Sequence, residues 1–489
     1  MPIPSAVEIA ELADTAEAAD VDSSNAGQVG WIVSARVTSQ LAQFLTILVG
    51  ARFLAPAEFG TFALLSALSI GLTRLAEAGW REFVMLAKKE EDLSQTHALA
   101  AVSAGACFLI GVVISLIFNV QGASQPQVWS MLLLSVWIVL TTLTSVQSGL
   151  LVRSRRLKAL SQAQILSEVV GFVVTVSLIA SGSGILGLVL GKLLTQTVIF
   201  LTCIGLTRWF ELRWPGETFR GPAVSFSSKI LATRLISFAH DNLPLFLIGL
   251  VVGPASAGIF RAAGRLAGGI SEIVNEPIRL LVWSNIHSTE ARDVVDRILI
   301  VTIILAAPLF VGLALVSKSV VLLFLGPDWL AAAPLLALFA VANLFSVINV
   351  ATEPLLASAK KVSLLPWISL LMTLSMLLVI LALASWGIHW IVVGQLAVAV
   401  LLFPGIVWIQ HAYGGTSPSR IARGAYPAVI GIGAMIGAVE LGEYYLPTLA
   451  LAPQLALKIA GGALAYVTTL LVLIPSEEIR RIKGLVWAR

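Results

Sequence analysis

The chain is poor in charge. Of its 489 residues only 12% are charged, against about 25% in an ordinary soluble domain, while 58% are hydrophobic and the mean hydropathy is +0.94. That composition excludes a soluble globular protein. It also lacks the short alternating apolar and polar segments of roughly 10 residues that build a spanning β-barrel. Cysteine is nearly absent: Cys107 and Cys203 both lie inside apolar runs, so a disulfide framework and a thiolate metal site are excluded and both are read as packing residues. Catalytic signatures are missing too. The GSG at 182–184 is followed by no phosphate-binding motif, and nothing resembles a hydrolase elbow or a metal cluster. Finally, no Lys or Arg precedes Arg36, although Glu8, Glu11, Asp14, Glu17, Asp20 and Asp22 do. A signal peptide needs a basic start and an apolar core, so residues 1–28 are expected to be a disordered acidic cytoplasmic tail instead.

What the chain has is long continuous apolar runs, each near the about 20 residues that a spanning helix needs. They predict fourteen helices, at 30–53, 60–86, 97–119, 127–152, 160–181, 184–207, 226–252, 256–283, 295–317, 331–357, 363–385, 388–411, 424–444 and 453–474. The connections alternate in charge. One set holds Lys88 and Lys89, Arg153 to Lys158, Arg208 to Arg220, Arg292 and Arg297, Lys360 and Lys361, Arg420 and Arg423, and Arg480 to Lys483. The other set holds no Lys or Arg. Basic loops stay cytoplasmic, so both termini are expected in the cytoplasm. The net charge of +4 and pI near 9.1 then follow from topology and do not point to nucleic acid. Trp80, Trp129, Trp283 and Trp329, near span ends, are read as interfacial anchors, and His240 and His389 as structural.

The sequence also repeats itself. FLAPAEFGTF at 53–62 returns as VVGPASAGIF at 251–260, GILGLVLGKL at 184–193 as GIHWIVVGQL at 387–396, and Arg155-Arg156 as Lys360-Lys361. The offsets are 198, 203 and 205, which correspond to six helices. Six is even, so the two copies share one orientation, as in transporters built from parallel repeats. The expected architecture is an all-α integral membrane protein with about fourteen transmembrane helices. An N-lobe (29–222) and a pseudo-symmetric C-lobe (223–412) carry six helices each, and 413–489 adds two helices and a cytoplasmic tail.

Ionisable residues are costly in a bilayer and normally face a partner or a cavity. Here they concentrate in the first, second, seventh and eighth spans. Arg261, Arg265, Glu272, Glu276 and Arg279 fall within roughly 60° of helical arc. Arg74 aligns with Arg81, with Glu77 close by, and Arg36 shares a face with Gln40 and Gln43. Arg36, Arg74, Arg234, Arg261 and Arg265 are the candidate cationic track for an anionic, phosphate-bearing substrate, because arginine binds phosphate bidentately and keeps its charge when desolvated. Ion pairing within the protein is the competing use, for Glu77 with Arg81 and for Glu272 or Glu276 with Arg279. Asp241, Glu272 and Glu276 are candidates for Na⁺ or H⁺ coupling, with Asp241 alternatively the counter-ion of Arg234. No other cofactor and no metal is expected.

ARFLAPAEFGTFAL (51–64), LVRSRRLKALSQAQILSEVVG (151–171), DNLPLFLIGLVVGPASAGIFRAAGRLAG (241–268) and GPDWLAAAPLLALFAVANLF (326–345) resemble, in order and spacing, the polysaccharide transporter family of the multidrug/oligosaccharidyl-lipid/polysaccharide superfamily. The resemblance covers roughly residues 30–410. It implies two six-helix lobes with a cationic cavity. It implies a flippase for undecaprenyl-diphosphate-linked oligosaccharide in the bacterial inner membrane, serving O-antigen, capsule or exopolysaccharide synthesis by alternating access. It further implies a monomer that works among membrane lipid with a polysaccharide polymerase and a chain-length regulator, and no enzyme activity of its own. Related peptidoglycan-precursor flippases place arginines on the first, second and eighth helices, which here hold Arg36, Arg74 and Arg261 or Arg265. A drug antiporter of the same superfamily is the alternative, against which the excess of arginine argues. A membrane polymerase or ligase is the other, against which the lack of a sizeable outer loop argues.

Overall fold

A computed structural model describes residues 6–87, 89–285, 291–445 and 450–473. The Lys88 and Arg480 to Lys483 positions of the basic-loop pattern lie outside the described residues. No β-strand occurs among the described residues. The helices are α1 (Ala6–Phe53), α2 (Pro56–Glu77), α3 (Trp80–Leu86), α4 (Glu90–Val120), α5 (Gln125–Arg153), α6 (Leu157–Ala180), α7 (Gly184–Thr207), α8 (Glu217–Val251), α9 (Pro254–Asn285), α10 (Ala291–Leu315), α11 (Ser317–Phe324), α12 (Ala332–Ser346), α13 (Thr352–Ser358), α14 (Leu365–Leu383), α15 (Ile388–Gly414), α16 (Pro418–Tyr445) and α17 (Leu451–Leu473). Among the described residues thirteen helical segments are long and apolar enough to cross a membrane, counting α2 with α3 and α12 with α13 as one each. The expected fourteenth is α9, which has the length but carries Arg261, Arg265, Glu272, Glu276 and Arg279.

Two boundaries differ from expectation. α1 runs back through residues 6–28, where a disordered tail was expected. The stretch from Ala6 to Asn25 has neither Gly nor Pro and is rich in Ala and Glu, so helix propensity outweighs its low hydrophobicity. The chain also divides into two compact units at other places than 222 and 412. The first is Met1–Phe53 with Leu65–Asp241, and the second is Leu54–Leu64 with Asn242–Arg489. α8 passes unbroken through Pro244, and the division falls inside it.

The segment at 54–64 belongs to the second unit for a steric reason. Gly60 packs so closely that a Cβ there would lie 1.8 Å from the Pro254 carbonyl oxygen, and a Cβ on Gly258 would lie 2.2 Å from that of Pro56. Pro56 and Gly60 are the sequence equivalents of Pro254 and Gly258. The two copies of the repeated turn therefore pack on one another reciprocally, each glycine admitting the other copy's backbone. Phe59 is buried beside them, edge-on to the Trp329 ring with centroids 5.5 Å apart. Trp329 is thus a core residue, as is Trp80, whose indole Nε1 donates to the Ala76 carbonyl and to Ser103 Oγ. Of the four tryptophans read as anchors, Trp129 and Trp283 are exposed.

The duplication extends to backbone and side-chain detail within each unit. In the first unit α4 packs on α5, α5 on α7, α6 on α7 and α3 on α5. In the second, the equivalents recur as α10 on α12, α12 on α15, α14 on α15 and α9 on α12. Arg155 and Lys360 both take left-handed backbone, at φ 56° and 57°. The amides of Arg155 and Arg156 bond the Val152 and Leu151 carbonyls, and those of Lys360 and Lys361 bond the Ala357 and Leu356 carbonyls. Thr207 Oγ1 donates to Gln147 Oε1 at 2.7 Å, while Gln410 Nε2 donates to Thr352 Oγ1 at 2.9 Å. Shifted by one repeat, these are the same two positions with the Gln and Thr exchanged. Arg213 pairs with Glu91, and Arg420 with Asp293, so in each half an arginine that follows the sixth span is tied to the acidic start of the third.

α16 and α17 stand outside the repeat and pack on each other, and α16 also packs on α10. Pro308 inside α10 has no N–H to give the Ile304 carbonyl. Tyr466 of α17 donates its hydroxyl to that carbonyl at 2.7 Å, with its ring laid on Gly431 of α16. α14 is apolar all round, with only Ile380 buried, which suits a lipid-facing helix.

Candidate functional site

The charged residues of α2, α3 and α8 converge in the first unit. Ile230, Arg234 and Phe238 lie four residues apart and so share one face of α8. Phe238 rests on Gly71 and Ile230 on Gly79, where a Cβ would come within 3 Å of either side chain. Gly79 sits at φ 84°, a left-handed conformation that breaks the second span into α2 and α3 and suits glycine. Between these two contacts Arg234 meets two carboxylates. Its Nη1 lies 3.1 Å from Glu77 Oε2 and its Nη2 lies 2.7 Å from Glu82 Oε1. Glu77 Oε2 also accepts from Arg74 Nη1 at 3.2 Å. Two guanidiniums and two carboxylates thus form one chain of alternating charge with no net charge.

Exposure is graded along this chain. The Glu77 side chain is 11% exposed, Arg234 21%, Glu82 33% and Arg74 45%. Arg234 is held from two sides. Arg74 commits one nitrogen to Glu77 and has the most open guanidinium. Arg81 Nε and Glu82 Oε2 are buried without a hydrogen-bond partner among the described residues, so the cluster is not fully satisfied.

Two expected ion pairs are replaced by others. The partner of Glu77 is Arg74 together with Arg234, and not Arg81: Glu77 lies one turn after Arg74, and the left-handed step at Gly79 separates Arg81 from that helical register. The counter-ions of Arg234 are Glu77 and Glu82, and not Asp241. Asp241, seven residues along α8, is exposed. Arg74 and Arg234 are each paired. Glu77 and Glu82 are the carboxylates that pair with Arg234. The signal for them was present, since carboxylates beside arginines in an apolar span must be paired to be tolerated.

Arg36 lies on an exposed face of α1 with Gln40 and Gln43. In the second unit Arg261 and Arg265 are half-buried on α9, and Glu272 is exposed on the same helix. The Glu276 side chain lies outside the described residues. Among the described residues no group of His, Cys, Asp or Glu is arranged to hold a metal ion.

Long apolar helices, two units that repeat one helix arrangement, and an ion-paired arginine cluster inside the spans define a multi-pass membrane protein of transporter architecture. The chain belongs to the family described as polysaccharide biosynthesis protein, whose profile matches residues 49–334, more than half of it. It is 24% identical over 328 residues to the succinoglycan biosynthesis transport protein ExoT of Rhizobium meliloti. That match covers 64% of this chain and 65% of the relative, just under two thirds. The teichuronic acid biosynthesis protein TuaB of Bacillus subtilis is 23% identical over 53% of this chain and 55% of its own length. Among solved structures, the lipid II flippase MurJ in an inward closed conformation superposes with a TM-score of 0.71 at 13% identity, over 90% of this chain and 98% of that one. An inward-facing multidrug-resistance MATE family transporter superposes with a TM-score of 0.55, also at 13% identity, over 78% of this chain and 96% of that one. At such identities these likenesses establish the fold. The named relatives are transport and biosynthesis proteins and the solved neighbours are transporters and a flippase, none of them an enzyme by description.

Proposed function

We propose that the chain is a flippase that moves undecaprenyl-diphosphate-linked oligosaccharide across the bacterial inner membrane by alternating access, for surface polysaccharide synthesis. Both termini are then cytoplasmic. The observation that supports this most is the Arg74–Glu77–Arg234–Glu82 chain in the second and seventh spans. A diphosphate must shed water to cross a bilayer, and guanidiniums replace that water with charge-assisted, bidentate bonds. Until the anion arrives, the arginines need counter-charges of their own, and the carboxylates provide them. The headgroup competes with Glu77 for Arg74, the most open member. Arg36 on α1, and Arg261 and Arg265 on α9, offer the same chemistry. The open guanidinium of Arg74 suits an anionic cargo and would repel a cationic drug.

The reading is tested in cells. Loss of the chain should leave single lipid-linked repeat units on the cytoplasmic side of the membrane, where an outside enzyme cannot reach them. Accumulation of single units on the outer side would assign the chain to polymerisation instead.

A further inference from the structure

One charged residue stands apart from the cluster. α6 carries two ionisable groups, Lys158 and Glu168. Lys158 lies in the first turn with its Nζ 5.6 Å from the Trp31 ring centre, while Glu168 sits ten residues further on, about 15 Å along the helix and near its middle. The carboxyl is half-buried against α1, and Ser39 Oγ donates to its Oε1 at 2.6 Å. Gln43 Nε2 donates in turn to Ser39 Oγ at 3.2 Å. Among the described residues no basic side chain pairs with Glu168.

α6 packs on α7, α1 and α5. α7 offers Lys192, whose Nζ lies 4.1 Å from the Trp137 ring centre. α1 offers Arg36, one turn before Ser39, and Arg52 in its last turn. α5 offers Arg153 at its end. None of these forms an ion pair with Glu168. A charged carboxylate here has one hydroxyl to replace its water, which is a poor exchange inside a span. A neutral acid has its needs nearly met by the same hydroxyl. The two protonation states therefore favour different packings of α1 on α6.

We propose that Glu168 is a proton-carrying site, neutral while Ser39 covers it and ionised when α1 withdraws. One proton leaves Glu168 Oε for water on opening and returns on closing, and no other bond changes. α1 also carries Arg36 one turn away, so the site links a proton to a helix bearing a candidate anion-binding arginine. The proton site stands on its own geometry, and only its use for coupling rests on the flippase reading.

The test uses the full chain in lipid nanodiscs, followed by infrared difference spectroscopy during a pH titration, with no cargo. The wild type should show a protonated-carboxyl C=O stretch that titrates as one group, absent in Glu168→Gln and shifted in frequency in Ser39→Ala, with both variants melting near the wild type. Glu168→Asp should restore a titrating band. The same band in wild type and Glu168→Gln would overturn the proposal. In proteoliposomes a proton gradient should drive transfer of lipid-linked oligosaccharide by the wild type but not by Glu168→Gln. Gradient-driven transfer that survives Glu168→Gln would overturn coupling. A wild type with the titrating band but no transfer would instead defeat the flippase reading and leave the proton site standing.

Discussion

Replacing Gly60 by Ala is a one-atom perturbation with a large expected effect. The added Cβ would lie 1.8 Å from the Pro254 carbonyl oxygen. An ordinary carbon–oxygen contact is about 3.3 Å, so the two turns must part by about 1.5 Å. A gap of 0.5–1 Å already forfeits roughly a quarter to a half of a dispersion contact, and the residues around this notch are tightly packed: Phe59 is 2% exposed and Ala257 is fully buried. Overpacking of this kind costs about 1–3 kcal/mol. Full undocking would add about 1.5–3 kcal/mol for exposing Phe59. Gly258→Ala, with its Cβ 2.2 Å from the Pro56 oxygen, should cost a similar amount. Because both substitutions separate the same two turns, the double variant should cost clearly less than the sum. Thermal unfolding in detergent measures the loss. Iodide quenching reports the local opening, with Trp329→Phe counterparts isolating the one indole that sits on Phe59. A Gly60→Ala protein that melts like the wild type, with Trp329 still shielded, would refute the reciprocal-notch reasoning.

The arginine cluster predicts effects of opposite sign on inorganic pyrophosphate binding, measured by calorimetry: Glu77→Gln should strengthen it by freeing Arg74, and Arg74→Ala should weaken it by about tenfold to a hundredfold, since a charge-assisted bond is worth about 1.5–3 kcal/mol. Arg234→Ala leaves Glu77 and Glu82 without their common cation and should destabilise the chain by about 3 kcal/mol, the lower end for a broken buried pair because the site is partly open; Arg234→Lys should recover part of this in the same melting experiment. Tyr466→Phe should cost about 1–3 kcal/mol by orphaning the Ile304 carbonyl, and Pro308→Ala in that background should recover much of it, because the restored amide reaches the same oxygen.

Much of the fold is legible in the amino-acid order because membrane spans are written as long apolar runs. The weak repeats at Pro56/Pro254 and Arg155/Lys360 mark real equivalences, down to matching left-handed residues and reciprocal glycines. What they could not reveal is that the two copies of the turn touch, since an offset carries no distance. The site was half legible. The arginines stood out against an apolar background, but their partners did not. Helical arc alone set Asp241 beside Arg234, whereas the pairing is decided by α2 and α3, which bring Glu77 and Glu82 from about 150 residues away. What Glu168 meets is likewise not written in the sequence near it, since its partner Ser39 is 129 residues distant.

In the proposed function, arginines inside the spans carry an anionic lipid headgroup across the membrane. The most direct measurement reconstitutes the purified chain in liposomes with labelled undecaprenyl-diphosphate oligosaccharide and follows the label's arrival at the far leaflet with an impermeant quencher. The wild type should transfer the label, Arg74→Ala should be about tenfold to a hundredfold slower for the loss of one charge-assisted bond, and Arg74→Lys should recover in part, where charge survives but bidentate geometry does not. No transfer by a folded wild type, or equal rates in wild type and Arg74→Ala, would contradict the proposed function.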